Sequence, residues 1–141
     1  MSDTERDRFL TDEHICRLAT IGPHGPHVSP LWFVWDGAAM WFYSIVRSQR
    51  WVNLERDPRI AVIVDAGTAY AELRGVELTG AVERVGEVPR AGETHSELVE
   101  PERLFAAKYV GADTIRYDLR HAWLRLVPRK IVSWDFRKLQ A

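Results

Sequence analysis

The stretch Ile15-Cys-Arg-Leu-Ala-Thr-Ile21, Gly22-Pro-His-Gly-Pro26, His27-Val-Ser-Pro-Leu-Trp-Phe-Val-Trp35 decides the fold class. Two short segments rich in apolar and β-branched residues flank a run of Gly, Pro and His. That punctuation predicts a strand, a turn and a returning strand, hence a hairpin. Asp36-Gly37 predicts a second tight turn, because Gly tolerates positive φ, and Ala39 to Val46 returns as a third strand of the same meander.

On the N-terminal side, residues 2–14 are polar with Phe9, Leu10 and Ile15 at helical spacing, which predicts a short leading helix. On the C-terminal side, Ser48 is placed to cap a helix running to about Arg56, with Trp51, Val52 and Leu54 inward and Asp57-Pro58 as its stop. Further strands are expected over Arg59 to Asp65, Tyr70 to Arg74 and Val76 to Val85, separated by Ala66-Gly67-Thr68 and interrupted at Gly75, a bulge or a close backbone approach. Pro101 suits the first turn of a helix with Leu104, Phe105 and Tyr109 inward, and Gly111 stops it. The last strands run from His121 to Val127 and from Lys130 to Phe136, with Trp123, Leu124, Leu126, Ile131 and Trp134 as packing residues. The pattern is mainly β with flanking helices, and an antiparallel barrel is the closure that leaves fewest edges open.

With 141 residues and 46% hydrophobic content, the chain fits a single domain spanning 1–141 that needs no disulfide or structural metal. One cysteine cannot form an internal bridge. A net charge of -1 gives no electrostatic footprint for nucleic acid or an anionic membrane, so the expected partner is a small molecule and any anion site is local. The charged run Met1 to Arg8 and the lack of a long apolar stretch predict a cytoplasmic protein. Arg outnumbers Lys 16 to 3, which supplies forked donors suited to phosphate.

The phosphate-loop, dinucleotide, nucleophile-elbow, zinc-protease and C-x-x-C signatures are all missing from the sequence. His24 and His27 read as solvated turn residues, with His14, His95 and His121 scattered, so no metal site is expected. Cys16, on an apolar strand, reads as a structural thiol rather than a nucleophile. The segment Phe42-Tyr-Ser-Ile-Val-Arg-Ser-Gln-Arg50 stands apart, because it runs a strand into a helix start with hydroxyls and cations together. Ser44, Ser48, Arg50 and the free N–H groups of that helix start can converge on a phosphate. A capped helix carrying a solvated Arg fits the same residues.

Taken together, the motifs Leu18 to Phe33, Trp41-Phe-Tyr-Ser44, Ser48-Gln-Arg50, Asn53-Leu-Glu-Arg-Asp-Pro58, Arg74-Gly-Val-Glu-Leu-Thr-Gly-Ala-Val-Glu-Arg84 and Ile131-Val-Ser-Trp-Asp-Phe136 give a sequence that resembles the pyridoxamine-phosphate-oxidase-like, FMN-binding split-barrel family, which includes flavin and deazaflavin oxidoreductases. The resemblance implies a split antiparallel barrel. It implies that Val28, Ser29, Pro30, Leu31, Trp32 and Phe33 line the ring of FMN or an 8-hydroxy-5-deazaflavin coenzyme, largely through backbone. Tyr43, Ser44, Ser48, Gln49 and Arg50 would hold its phosphate-bearing tail, with Arg74, Gly75 and Trp134 as further cofactor contacts.

Val28 and Gly75 stand where the oxidases carry polar cofactor contacts, and the closing segment lacks their Arg-x-His motif. The expected activity is therefore hydride transfer to a small conjugated acceptor (an enone, quinone or tetrapyrrole) and not pyridoxamine phosphate oxidation. No catalytic side chain is assigned, because such a cofactor carries the hydride itself. The resemblance also implies a homodimer with the cofactor between subunits. A non-catalytic flavin- or haem-binding module remains the alternative.

Overall fold

The computed structural model, described over residues 1–139, arranges the chain as a curled antiparallel sheet with helices at its open side. Helix α1 (Asp3–Asp12) starts at Ser2, whose side chain accepts from the Glu5 N–H, and it buries Leu10. Strands β1 (Ile15–Gly22) and β2 (Gly25–Trp32) form the expected hairpin, with Ile15 opposite Trp32. Its turn is only Pro23-His24. Gly25 takes φ +119, and Pro26 costs little because β2 pairs on one side only, so β2 begins two residues before the sequence suggests. His27 accordingly lies in β2 and is half-buried, whereas His24 is solvated as expected.

The strand expected from His27 to Trp35 breaks at Phe33, and a short β3 (Val34–Trp35) pairs instead with β4 (Met40–Ile45). Asp36 fixes the turn between them: its Oδ1 accepts from the N–H groups of Ala38 (2.8 Å) and Ala39 (2.7 Å), and its Oδ2 from Trp41 Nε1 (2.8 Å). Gly37 supplies the positive φ, +97.

Helix α2 (Gln49–Arg56) is capped as expected, with Ser48 Oγ accepting from the Trp51 N–H at 3.1 Å. It turns Arg50, Trp51, Asn53 and Leu54 inward, and Asn53 Nδ2 donates to Thr20 Oγ1 of β1 at 2.9 Å. Val52 lies outward, against expectation, because the inward stripe is already filled by its neighbours. Strand β5 (Arg59–Ala66) leads to a 3₁₀ turn at Tyr70–Glu72 where the sequence suggests a strand. Gly67, at φ +101, folds the chain back so tightly that a Cβ there would lie 2.4 Å from the Glu72 carbonyl oxygen.

Strand β6 (Arg74–Val85) is the long diagonal of the sheet. It pairs with β5 along one edge, and with β7 (His121–Leu126) and β8 (Lys130–Asp135) along the other. Leu126 faces Val82 and Lys130 faces Thr79, so Val127, Pro128 and Arg129 oppose only Gly80 and Ala81. This is a bulge in what is otherwise one closing strand, and it falls where Pro128 has no N–H to give the ladder. Before β7, helix α3 (Val99–Phe105) widens into a π-helical turn, Ala106–Val110, that ends at Gly111 with φ +70.

The strand order is β2-β1-β5-β6-β7-β4-β3, with β8 beside β6, an open path whose ends, β2 and the β3/β4 pair, do not hydrogen-bond to each other. The molecule is therefore a split barrel. One core (Leu18, Phe42, Trp51, Val62, Leu78, Leu126) fills its interior, and a second (Val34, Trp41, Leu98, Phe105, Trp123) packs α3 against β4 and β7. Full burial of each such side chain contributes roughly 1.5–3 kcal/mol. Arg90, 3% exposed, ties the loop after β6 to α3 through Glu87 (2.6 Å) and Glu102 (2.7 Å). Burial opposes the Glu87 charge, but Arg90 and the N–H groups of Ala91 and Glu93 hold its carboxyl at about 2.

Candidate functional site

The split between β2 and β4 is a groove of ≈ 510 Å³. Pro30, Leu31 and Trp32 form one wall and Tyr43 and Ile45 the other, with Phe105 at one end. The walls are shaped by a latch. At the break between β2 and β3, the Tyr109 hydroxyl accepts from the Phe33 N–H (3.0 Å), and its one proton lies between the carbonyl oxygens of Phe33 (2.6 Å) and His14 (2.8 Å). The Tyr109 ring also stacks on Trp32, with centroids 4.4 Å apart and planes within 10°. This side chain comes from the π-helical turn, where one widened turn re-aims it toward the strand.

Arg50 lies in this groove. It is 9% exposed, and it spans the split: Nη1 donates to Ser29 Oγ of β2 at 2.7 Å and Nε to Ser44 Oγ of β4 at 3.1 Å. No carboxylate pairs with it among the described residues. Burial pulls its pKa below the ordinary guanidinium value. A buried cation satisfied only by hydroxyls keeps its positive field and further N–H donors for an anion. Tyr43, on the opposite wall, has a buried hydroxyl with no partner among the described residues, and burial pushes its phenol above the usual range.

The far end of β4 meets an aspartate–histidine pair in the groove. His121 Nδ1 lies 2.6 Å from Asp118 Oδ2, and the His121 ring stacks on Tyr43 at 4.8 Å and 18°. Burial opposes the Asp118 charge, but the N–H groups of Arg120 and His121 and the imidazole keep its carboxyl below the ordinary value. The tight turn that returns Asp118 onto His121 places Leu119 at φ +60, the single non-Gly positive φ among the described residues. The His121 carbonyl is pinned by the Arg90 N–H at 2.8 Å.

Of the residues expected from the sequence, the structure gathers Ser29, Pro30, Leu31, Trp32, Tyr43, Ser44 and Arg50 around one groove. Others lie elsewhere. Phe33 is fully buried in the core, with Lys108 Nζ 4.1 Å from its ring centre, and its backbone is taken by Tyr109. Val28 is 67% exposed on the outer edge. Ser48 Oγ donates to the Ile45 carbonyl and caps α2, so it is spent inside the turn, and Gln49 Nε2 turns to Asn53 Oδ1. Arg74, Gly75 and Trp134 belong to the β6/β8 side and do not line the groove of this chain.

Gly75 marks a close approach rather than a bulge. Its ladder is continuous on both sides, and a Cβ there would lie 2.6 Å from Trp134 Cζ2. Cys16 is structural as expected, buried beneath the groove with its thiol pushed up to about 12. His121 and Asp118 were missed as a pair. The Asp-x-x-His spacing is a weak signal in a loop of many charges, and only the turn at Leu119 makes it a contact. No three His, Cys, Asp or Glu side chains form a metal-holding group among the described residues, and no helix there is long and apolar enough to cross a membrane.

Comparison with known proteins places this geometry in a lineage. Among solved structures, the chain is similar to a conserved hypothetical protein, Rv2991, from Mycobacterium tuberculosis, at 34% identity and TM-score 0.83, covering 100% of this chain and 89% of that one. It shares its fold with an F420 reductase (22% identity, TM-score 0.67, 89% and 94% covered). A heme binding protein from Mycobacterium smegmatis has the fold too (20%, TM-score 0.66, 96% and 59% covered). No curated protein matches significantly. The family model described as pyridoxamine 5'-phosphate oxidase matches residues 2–135, nearly the whole chain, and the chain belongs to that family.

Proposed function

We propose that the groove holds the phosphate-bearing end of a flavin or deazaflavin and that the protein is an oxidoreductase acting on a small conjugated acceptor. The observation that carries this reading is Arg50, a buried cation bridging Ser29 and Ser44 across the split with no acid partner among the described residues. Folding bears the desolvation of such a group only weakly through two hydroxyls, so an anionic ligand would complete the site. Tyr43 offers an unspent hydroxyl beside it.

The residues present fit that group. Arg50 would hold the anion, Ser29 and Ser44 would orient the guanidinium, and Pro30, Leu31 and Trp32 would give the ring a dry, flat wall. When bound, a reduced flavin or deazaflavin supplies a hydride, so the protein's part is binding, orientation and exclusion of water. Similarity to an F420 reductase supports a deazaflavin, and the resemblance of the sequence motifs to FMN-binding split barrels supports FMN. The exposed edge of β2, with Val28 and Trp32, supports a second copy of the chain as the cover of the groove.

Titration of the purified protein with FMN and with reduced F420, followed by tryptophan fluorescence, tests the reading. Saturable binding of one of them, with reduction of a quinone such as menadione, is the expected result. Binding of neither at tens of micromolar, or tight uptake of haemin in their place without turnover, would overturn it.

A further inference from the structure

We propose that His121, oriented by Asp118, is the catalytic acid of the groove and the contact for the oxyanion that develops on a conjugated acceptor. The proposal rests on the hydride-transfer reading above and adds the residue that reading lacks, since reduction of an enone or quinone needs a proton as well as a hydride. The structure offers few proton donors along the groove. Arg50 stays protonated, and the phenol of Tyr43 is pushed above its usual range. Imidazole, by contrast, exchanges a proton near neutrality.

The geometry is that of an oriented general acid. Asp118 Oδ2 at 2.6 Å from Nδ1 leaves Nε2 as the free edge of the ring. The Tyr43 ring stacked at 4.8 Å fixes the imidazole plane, and the Arg90 N–H on the His121 carbonyl fixes its backbone. Leu119 at φ +60 is an unfavourable conformation for a branched side chain, kept where it returns the carboxylate to the ring.

In the step itself, the hydride forms a C–H bond at the electrophilic carbon and the conjugated π pair moves onto the acceptor oxygen. The proton on His121 Nε2 forms the O–H bond. The imidazole is left neutral and is reprotonated from water; the hydrogen and electron pair of the new C–H bond would be supplied together as hydride by the reduced flavin or deazaflavin. Asp118 is a positioning residue: it sets the ring and supports the imidazolium without changing its own protonation.

The charged and titratable groups around His121 include Asp118 on its own turn, Tyr43 from β4 stacked on its ring, Arg50 from α2 on the same groove, and Glu102, Tyr117 and Arg90, whose fields act on Tyr43. Lys108, lowered to about 8 by burial, lies behind Phe33 and is not a groove residue.

The test uses 4-nitrophenolate, a flat conjugated oxyanion, as probe of the cofactor-free protein near pH 7, with the same variants in menadione reduction by the loaded protein. His121→Gln should weaken the probe about tenfold or more, and Asp118→Asn should weaken it by less. The alkaline fall of kcat/KM should flatten in His121→Gln and shift in Asp118→Asn. Equal probe affinity in the parent and both variants overturns the proposal. So does loss of probe binding in Arg50→Ala but not in His121→Gln, because the oxyanion then sits on the other cation. If no flavin or deazaflavin binds, the hydride reading falls by itself, and the probe still decides whether His121 receives an oxyanion.

Discussion

Arg50 carries two jobs in one side chain. Its guanidinium joins β2 to β4 through Ser29 and Ser44, and it is the buried charge of the groove. Arg50→Ala should therefore raise the cofactor dissociation constant by about 10- to 150-fold, the equivalent of a charged hydrogen bond of roughly 1.5–3 kcal/mol. It should also lower stability by about 1–2 kcal/mol, because the buried Ser44 hydroxyl loses its partner. Fluorescence titration and urea unfolding separate the two effects. Lys108 gives a pH prediction with a definite sign. Burial lowers it from 10.5 to about 8, so between those values the unfolded chain binds more protons than the folded one and folding gains stability as pH rises. Relative to Lys108→Met, the parent should gain about 1–3 kcal/mol from pH 8 to 10.5. A difference between the two proteins that stays constant with pH would mean that the ammonium is solvated.

At the scale of elements, the π-helical turn after α3 sets the groove wall, because it delivers the Tyr109 hydroxyl to both backbone groups of Phe33. Tyr109→Phe keeps the stack on Trp32 but leaves the Phe33 N–H and carbonyl without their partner. A loss of about 1–3 kcal/mol is expected in thermal or urea unfolding. Hydrogen exchange should accelerate at residues 31–35 ahead of the rest of the sheet, since a local latch opens locally. The break of the strand at Phe33 was not legible in the sequence: Leu31-Trp-Phe-Val-Trp35 is a continuous apolar run with no turn residue, and the partner that interrupts it lies 76 positions away. The bulge at Val127-Pro128-Arg129 was half legible, since Pro128 marks it and only the register with β6 shows that β7 and β8 are one line.

For the whole molecule, the path of strands ends at β2, which is paired on one side and carries Val28 at 67% and Trp32 at 47% exposure. An apolar edge beside an open groove is a surface for self-association. A homodimer that buries this edge is expected at micromolar concentration, and light scattering gives the mass directly. Val28→Lys, on the outer edge, should shift the equilibrium toward monomer with the fold retained by circular dichroism. A monomeric parent protein would remove the second copy from the account of the groove.

The sequence by itself determined the β-rich class, the presence of a hairpin about Gly22 to Pro26 though not its exact turn, the Asp36-Gly37 turn, the Ser48 cap and the family, because each is written in residues close along the chain or in a spaced set of motifs. It also brought Ser44 and Arg50 under suspicion, six positions apart across one strand-to-helix junction. Only the tertiary structure decided that Arg50 is buried rather than solvated, that Ser29 meets it from 21 positions away, that Phe33 faces the core, and that Asp118 and His121 form a pair on the same groove. The physical reason is that burial and charge pairing belong to surfaces brought together by sheet closure. A one-residue change of register or one residue at positive φ reverses which of them meet, and local propensity carries almost none of that information.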